Sequence, residues 1–184
     1  MNKLLSLVIF SIFSLSLTAC SADNKINTEK KDSHTTVTPP NSKKQRTVYF
    51  KNDTLKINTA TLKLLSIEVL PANKSLLREK PQLAIIYEVK NHSKKKLSAQ
   101  TVWMSSIELT QESENKRTKL LVGLIPQDDK FAPFTSQKAD NIKTNSTAKA
   151  VITYDLDDTT TPIKLTATQG MTGKKLGEKI INLK

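Results

Sequence analysis

The chain is predicted to fold as an all-β protein, an antiparallel β-sandwich of about seven to nine strands, preceded by an export signal and a polar tether. Three observations predict it. From Val48 to Lys184, short apolar stretches alternate with polar residues at a period of two and are separated by turn residues, which is the pattern of half-buried strands. Nothing in that region sustains the 3.6-residue apolar spacing of an amphipathic helix. The region is 137 residues long and has no cysteine, so its core rests on apolar packing alone, for which the length suffices.

Taken in order, Val48-Tyr49-Phe50 opens the domain, and Asn52-Asp53 supplies turn residues before Leu55-Lys56-Ile57-Asn58. In Thr61 to Leu70, Leu62 and Leu64 point one way and Leu65, Ile67 and Val69 the other. That phase change predicts a bulge, or a strand buried on both faces. Pro71-Ala72-Asn73 ends it, and Leu76 to Lys80 has room for one helical turn. Leu83 to Asn91 alternates most clearly: Leu83, Ile85, Tyr87 and Val89 share one face, and Ala84, Ile86, Glu88 and Lys90 the other. A polar loop follows, with the run Lys94-Lys95-Lys96.

Leu97 to Met104 reads as the next segment of the strand series and carries the sole tryptophan, Trp103, expected in the core. Ile107 and Leu109 alternate with Glu108 and Thr110. Gln111 to Lys119 is a charged turn, and Leu120-Leu121-Val122 a short apolar run ended by Gly123. Pro126 to Asn141 is irregular, with Phe131 and Phe134 as anchors of a long loop. Ala150, Ile152, Tyr154 and Leu156 form one face of a strand; Ile163, Leu165 and Ala167 form another. Gly170 and Gly173 mark the last turn.

The first twenty residues say where the protein works. Met1-Asn2-Lys3 is a positive start, Leu4 to Leu17 is apolar, and small residues and a cysteine follow, which is the plan of a secretory signal. The run is too short for a spanning helix of ~20 apolar residues. Its end, Leu17-Thr18-Ala19-Cys20, resembles the lipobox of bacterial lipoproteins position by position. That resemblance implies cleavage between Ala19 and Cys20 and a diacylglyceryl group on the Cys20 thiol. Two or more acyl chains, palmitate among them, anchor firmly. Cys20 is the only cysteine, so no disulfide partner competes for it.

These features divide the chain into a signal peptide (1–19), a lipidated cysteine and polar tether (20–47), and the β-domain (48–184). The tether is rich in Lys, Asn, Ser and Thr and carries Pro39-Pro40 and a solitary His34; it is too polar to bury a core. As a flexible spacer its root-mean-square reach is ~25–30 Å. Lys and Arg total 29 against 17 Asp and Glu, a net charge of +12, which favours anionic partners such as headgroups or phosphate-bearing wall polymers. With three arginines and no basic-aromatic run, nucleic acid is not expected.

Candidate sites are few. Lys94, Lys95 and Lys96 form the densest positive run, read either as a soluble hairpin tip or as a contact for an anionic surface. Asp155, Asp157 and Asp158, with Asp128-Asp129, offer carboxylates of the kind calcium takes, though Asp-Asp-Thr is also ordinary turn chemistry. Glu112 and Glu114 fall in a solvated turn. His92 is the one histidine in the domain and sits in the lysine-rich loop. No glycine-rich phosphate loop or zinc motif is present, so neither enzyme activity nor a cofactor is expected.

Leu83-Ala84-Ile85-Ile86-Tyr87-Glu88-Val89-Lys90-Asn91 with a tryptophan after it, and Ala150 to Asp158 with Pro162 after it, resemble the small immunoglobulin-like lipoprotein domains of unknown function found on Gram-positive bacteria. The resemblance implies a two-sheet antiparallel sandwich at the cell surface and supplies no catalytic residues. Where that group carries a Pro-Gly-type turn before the late strand, this chain has Lys143-Thr144-Asn145-Ser146-Thr147. The expectation is a membrane-anchored extracellular binding module. Two other classes stay open: a structural or protective envelope protein that masks another membrane component, and an accessory subunit of a transporter.

Overall fold

The computed structural model describes residues 47–183. The predicted signal peptide and all of the tether before Thr47, with Ala19, Cys20 and His34, lie outside the described residues. Nine strands are present: β1 (Tyr49–Lys51), β2 (Thr54–Lys56), β3 (Ala60–Leu70), β4 (Gln82–Asn91), β5 (Ile107–Ser113), β6 (Lys116–Lys119), β7 (Thr147–Asp155), β8 (Ile163–Thr168) and β9 (Lys175–Ile181). They form two antiparallel sheets, β1-β2-β3-β4-β7 and β6-β5-β8-β9.

The local chemistry accounts for the first sheet. Asn52 and Asp53 take φ of 48° and 57°, the left-handed pair that a tight two-residue hairpin needs and that Asn and Asp tolerate best among residues with a Cβ. The phase change in β3 is a bulge, with the register against β4 shifting between Leu64 and Ser66. β4 lies between β3 and β7, pairing from Leu70↔Gln82 to Ala60↔Asn91 on one side and from Gln82↔Asp155 to Lys90↔Thr147 on the other.

Its alternation therefore serves two cores. Leu83, Ile85, Tyr87 and Val89 meet Ile107, Leu109, Ile163, Leu165 and Ala167 of the second sheet. On the outer face, Ala84 and Val151 pack with buried Phe131, with Ile86 and Phe134 at the margin. The anchoring role expected of Phe131 and Phe134 holds. The segment carrying them is not irregular throughout, because it forms a 3-10 turn at Asp129–Phe131 and a short helix α2 (Ala132–Thr135).

One expectation fails between β4 and β5. Ala99–Ser106 is an α-helix, α1, and not part of the strand series. Ser98 caps it: its hydroxyl accepts from the Thr101 N–H while the Thr101 hydroxyl accepts from the Ser98 N–H. At two turns, with Thr101, Val102 and Trp103 all favouring strands, the helix shows no local period, and tertiary packing overrides propensity. Trp103 is fully buried, as expected. Its ring lies 4.5 Å from that of Tyr87, and its indole N–H donates to the Tyr154 hydroxyl at 2.7 Å. Among the described residues no helix is long and apolar enough to cross a membrane.

On one side β9 runs beside β1. A Cβ on Gly177 would stand 2.9 Å from the Phe50 carbonyl oxygen, so glycine permits the approach, and Lys179 pairs with Asp53 just beyond. The register defines two ends. At the entry end, where the described chain begins, lie Tyr49, Lys56, Ala60, Asn91 and Thr147. At the far end lie Leu70, Gln82 and Asp155. The nine residue steps from Gln82 to Asn91 set these ends ~30 Å apart.

Candidate functional site

The Lys94–Lys96 run lies at the entry end, exposed, and joins β4 to α1; it is not the tip of a hairpin. Asn91 builds the loop. Buried at the end of β4, its amide donates to the carbonyls of Lys95 (3.0 Å) and Ile142 (2.9 Å), and its side-chain oxygen accepts from the Ser93 N–H and hydroxyl. The same bonds draw in the loop before β7. Asn145 stands at φ 64° and its N–H bonds the Asn91 carbonyl, while the Thr144 hydroxyl donates to Ser93. A Lys-Thr-Asn-Ser turn thus does the work of a Pro-Gly-type turn, because Asn tolerates the left-handed position. Lys94, Lys95, Lys96 and Lys143 are all exposed, and none has an ion-pair partner among the described residues. His92 contacts the Thr61 hydroxyl at 2.8 Å through Nε2.

Of the carboxylates offered as a calcium site, Asp128, Asp155, Asp157 and Asp158 are each engaged elsewhere. Asp158 accepts from the N–H groups of Thr160 (2.7 Å) and Thr161 (2.6 Å), bonds that hold its carboxyl well below the usual carboxylate range. Asp155 accepts from Gln82 at 2.8 Å, and Asp157 pairs with Lys116. Asp128 pairs with Arg78. Among the described residues no group of three or more His, Cys, Asp or Glu stands together as a metal site. The loop is organised instead by buried Gln111, whose amide donates to the carbonyls of Asp158 (3.1 Å) and Thr161 (3.0 Å) and whose oxygen accepts from the Asp157 N–H (3.0 Å). Gln111 and Glu112 belong to β5 and not to a turn. Glu112 is held below its ordinary pKa by the hydrogen bond from Lys164, with Arg117 alongside.

The surface that sequence reading missed is at the far end. Asn73 and Arg78 exchange backbone bonds of 2.7 and 3.0 Å around a 3-10 turn, and Leu77 is forced to φ 56°. Arg78 clamps this tip from below: Nε donates to the Pro71 carbonyl at 2.6 Å, and a terminal nitrogen to Asp128 at 2.9 Å. Leu77 is left 68% exposed. Across an open groove of about 510 Å³, lined also by Lys74, Glu79, Lys80 and Gln82, stands Leu124, 63% exposed. Leu124 belongs to the run after β6, which lies along β7. The Gly123 N–H donates to Thr153 and the Asp155 N–H to the Leu121 carbonyl, leaving Leu121 73% exposed. A Cβ on Gly123 would lie 2.5 Å from the Gln82 amide nitrogen and 2.7 Å from the Asp155 carboxylate, so a larger residue there must displace the Gln82–Asp155 hydrogen bond.

Fold and surface together define a two-sheet antiparallel β-sandwich with polar clamps at both ends. Residues 35–169 match the family described as Domain of unknown function (DUF5067), and the chain belongs to that family. Among solved structures it is similar to a candidate lipoprotein of Staphylococcus aureus subsp. aureus NCTC 8325, with 22% identity, coverage of 74% of this chain and 92% of that one, and a TM-score of 0.66. A protein from Enterococcus faecalis solved by NMR is similar at 18% identity, with coverage of 73% and 92% and a TM-score of 0.59. At these identities the likeness is one of fold. No curated protein matches the chain.

Proposed function

We propose that this chain is a lipoprotein held on the outer face of the cell membrane through Cys20, and that its sandwich is a non-enzymatic binding module for another envelope protein. The Leu17-Thr18-Ala19-Cys20 ending supports the anchor, and the fold shared with the S. aureus candidate lipoprotein agrees with it. The observation that carries the binding role is the display of Leu77 and Leu124 across one groove, with exposed Leu121 on the same run as Leu124, on backbone fixed by Arg78–Asp128 and Gln82–Asp155. Exposed apolar side chains on a rigid support lose little entropy when covered.

The run Leu121–Ile125 also carries no charge and forms an edge beside β7, whereas the edge strands β6 and β9 carry lysines that discourage pairing. A partner that lays an extended segment along this edge, with an apolar side chain in the groove, uses both features. The test is capture from the producing cell's envelope fraction by the lipidated protein. One protein is expected to be retained at high salt and lost with Leu77→Asp/Leu124→Asp. Undiminished capture by that variant would overturn the groove as the site. Normal membrane retention of Cys20→Ser would overturn the anchor.

A further inference from the structure

One end of the sandwich has only basic charge in its connections, and the other end has both signs. The connections at the entry end are residues 57–59, 92–98, 141–146 and 169–174. The last belongs there because β9 runs beside β1 in the same direction, Gly177 against Phe50 and Lys179 against Asp53. These four connections hold Lys94, Lys95, Lys96, Lys143 and Lys174 and no Asp or Glu. Lys56 and Lys90 flank them on the strand ends, and the nearest acid in sequence is Asp140, just before the 141–146 connection. The far-end connections 71–81, 120–130 and 156–162 mix both signs: Glu79, Asp128, Asp129, Asp157 and Asp158 stand with Lys74, Arg78, Lys80 and Lys130.

The chain enters the domain at the basic end, because Tyr49 pairs with Lys56 beside the β3 start. Thr47 follows Cys20 by 27 residues, which bounds its distance from a lipid on that cysteine at roughly 90–97 Å even when fully extended. Resting on the lipid-anchor reading, we infer that the entry end of the sandwich docks on the anionic headgroups of the membrane that holds Cys20. The domain then stands with its lysine loops against the bilayer and the Leu77–Leu124 groove facing outward. Three properties fit a lipid surface. The lysines come from separate loops, and none of Lys94, Lys95, Lys96, Lys143 and Lys174 lines the groove at this end, which is walled by Tyr49, Lys56, Ile57, Thr61, His92 and Asn145. The backbone of the 92–98 and 141–146 loops is held by Asn91, so docking orders little there. No carboxylate in the entry-end connections stands beside the lysines to repel headgroups, whereas the far end mixes both signs. Met171, 85% exposed in the 169–174 turn, gives the same face one apolar side chain.

The unlipidated Ser21–Lys184 protein keeps every residue of both hydrophobic clusters and can be tested apart from the anchor. It is expected to sediment with phosphatidylglycerol–phosphatidylcholine vesicles, to release as salt rises, and to ignore phosphatidylcholine alone. At roughly fivefold per lysine, Lys94→Ala/Lys95→Ala/Lys96→Ala should weaken the partition on the order of a hundredfold. Lys74→Ala/Lys80→Ala at the far end should leave it unchanged. Equal binding by the triple variant, loss with the far-end pair, or binding to purified phosphate-bearing wall polymer but not to vesicles would each overturn the proposal. None of these outcomes touches the anchor, which Cys20→Ser tests separately.

Discussion

Replacing Arg78 by Met tests whether the groove is held as described. The guanidinium is 4% exposed and its partner carboxylate 23%. The variant loses a bond to a carboxylate, worth ~1.5–3 kcal/mol, and one to the Pro71 carbonyl, worth ~0.5–1.5 kcal/mol. Asp128 keeps enough access to water to rehydrate, so the stranded charge adds little, and the Met stem refills much of the volume. The net cost is about 2–4 kcal/mol, read by urea unfolding as a midpoint lowered by roughly 1–2 M. Arg78→Lys keeps the charge but only one donor position and should fall between the two. The pH dependence has a definite sign. The hydrogen bond from Arg78 holds the Asp128 carboxyl below its ordinary value, so the pair's contribution is complete above about pH 4 and is lost as pH falls through the folded value. The gap between wild type and Arg78→Met should be flat from about pH 5 to 8 and narrow in acid. A gap below about 0.5 kcal/mol at neutral pH, or one undiminished at about pH 2, would refute the clamp.

Two further expectations follow from the buried polar groups. Tyr154→Phe leaves the Trp103 indole N–H unpaired in the core and should cost about 1–3 kcal/mol by urea unfolding. Burial pushes the Tyr154 phenol up to about 12, so native stability should decline as pH rises from the ordinary tyrosine value of about 10, and less steeply in the variant. Gln111→Leu removes three bonds to the 157–161 loop and should cost about 2–3 kcal/mol, with hydrogen exchange rising first at the Asp157, Thr160 and Thr161 amides; unchanged protection there would separate Gln111 from the loop.

Much of the sandwich is legible in the residues because strands announce themselves through period-two alternation. β4 and β7, the bulge in β3, the Asn52-Asp53 turn and the Phe131 anchor all follow from local pattern. What escapes is set by contacts distant in sequence. The α1 helix exists because Trp103 finds Tyr87 and Tyr154, and nothing within eight residues encodes that. Arg78 and Asp128 stand 50 residues apart, and Gln111 meets a loop 46–50 residues away. Leu120 to Ile125 reads as an apolar run in either case; only its course along β7 reveals that Leu120 is buried while Leu121 and Leu124 are not. The lysine run is visible in sequence. That its end of the molecule lacks carboxylates in its loops becomes visible only when the strand order says which turns are neighbours.

Those distant contacts share a design that bears on function. Asn91 and Gln111 each sit buried and satisfy several backbone groups of a neighbouring loop, and buried Arg78 ties the Pro71 carbonyl to the Asp128 carboxylate. A loop held by a single buried side chain is fixed without its own apolar core, so its outward residues can change while its course does not. The entry and far ends therefore vary independently: Lys94–Lys96 hang from Asn91, and Leu77 from Arg78, ~30 Å apart on a shared sheet. A perturbation confined to one clamp should alter one surface and spare the other. On the proposed reading, in which one end lies against a membrane and the other presents a partner site, that separation is what two simultaneous contacts require.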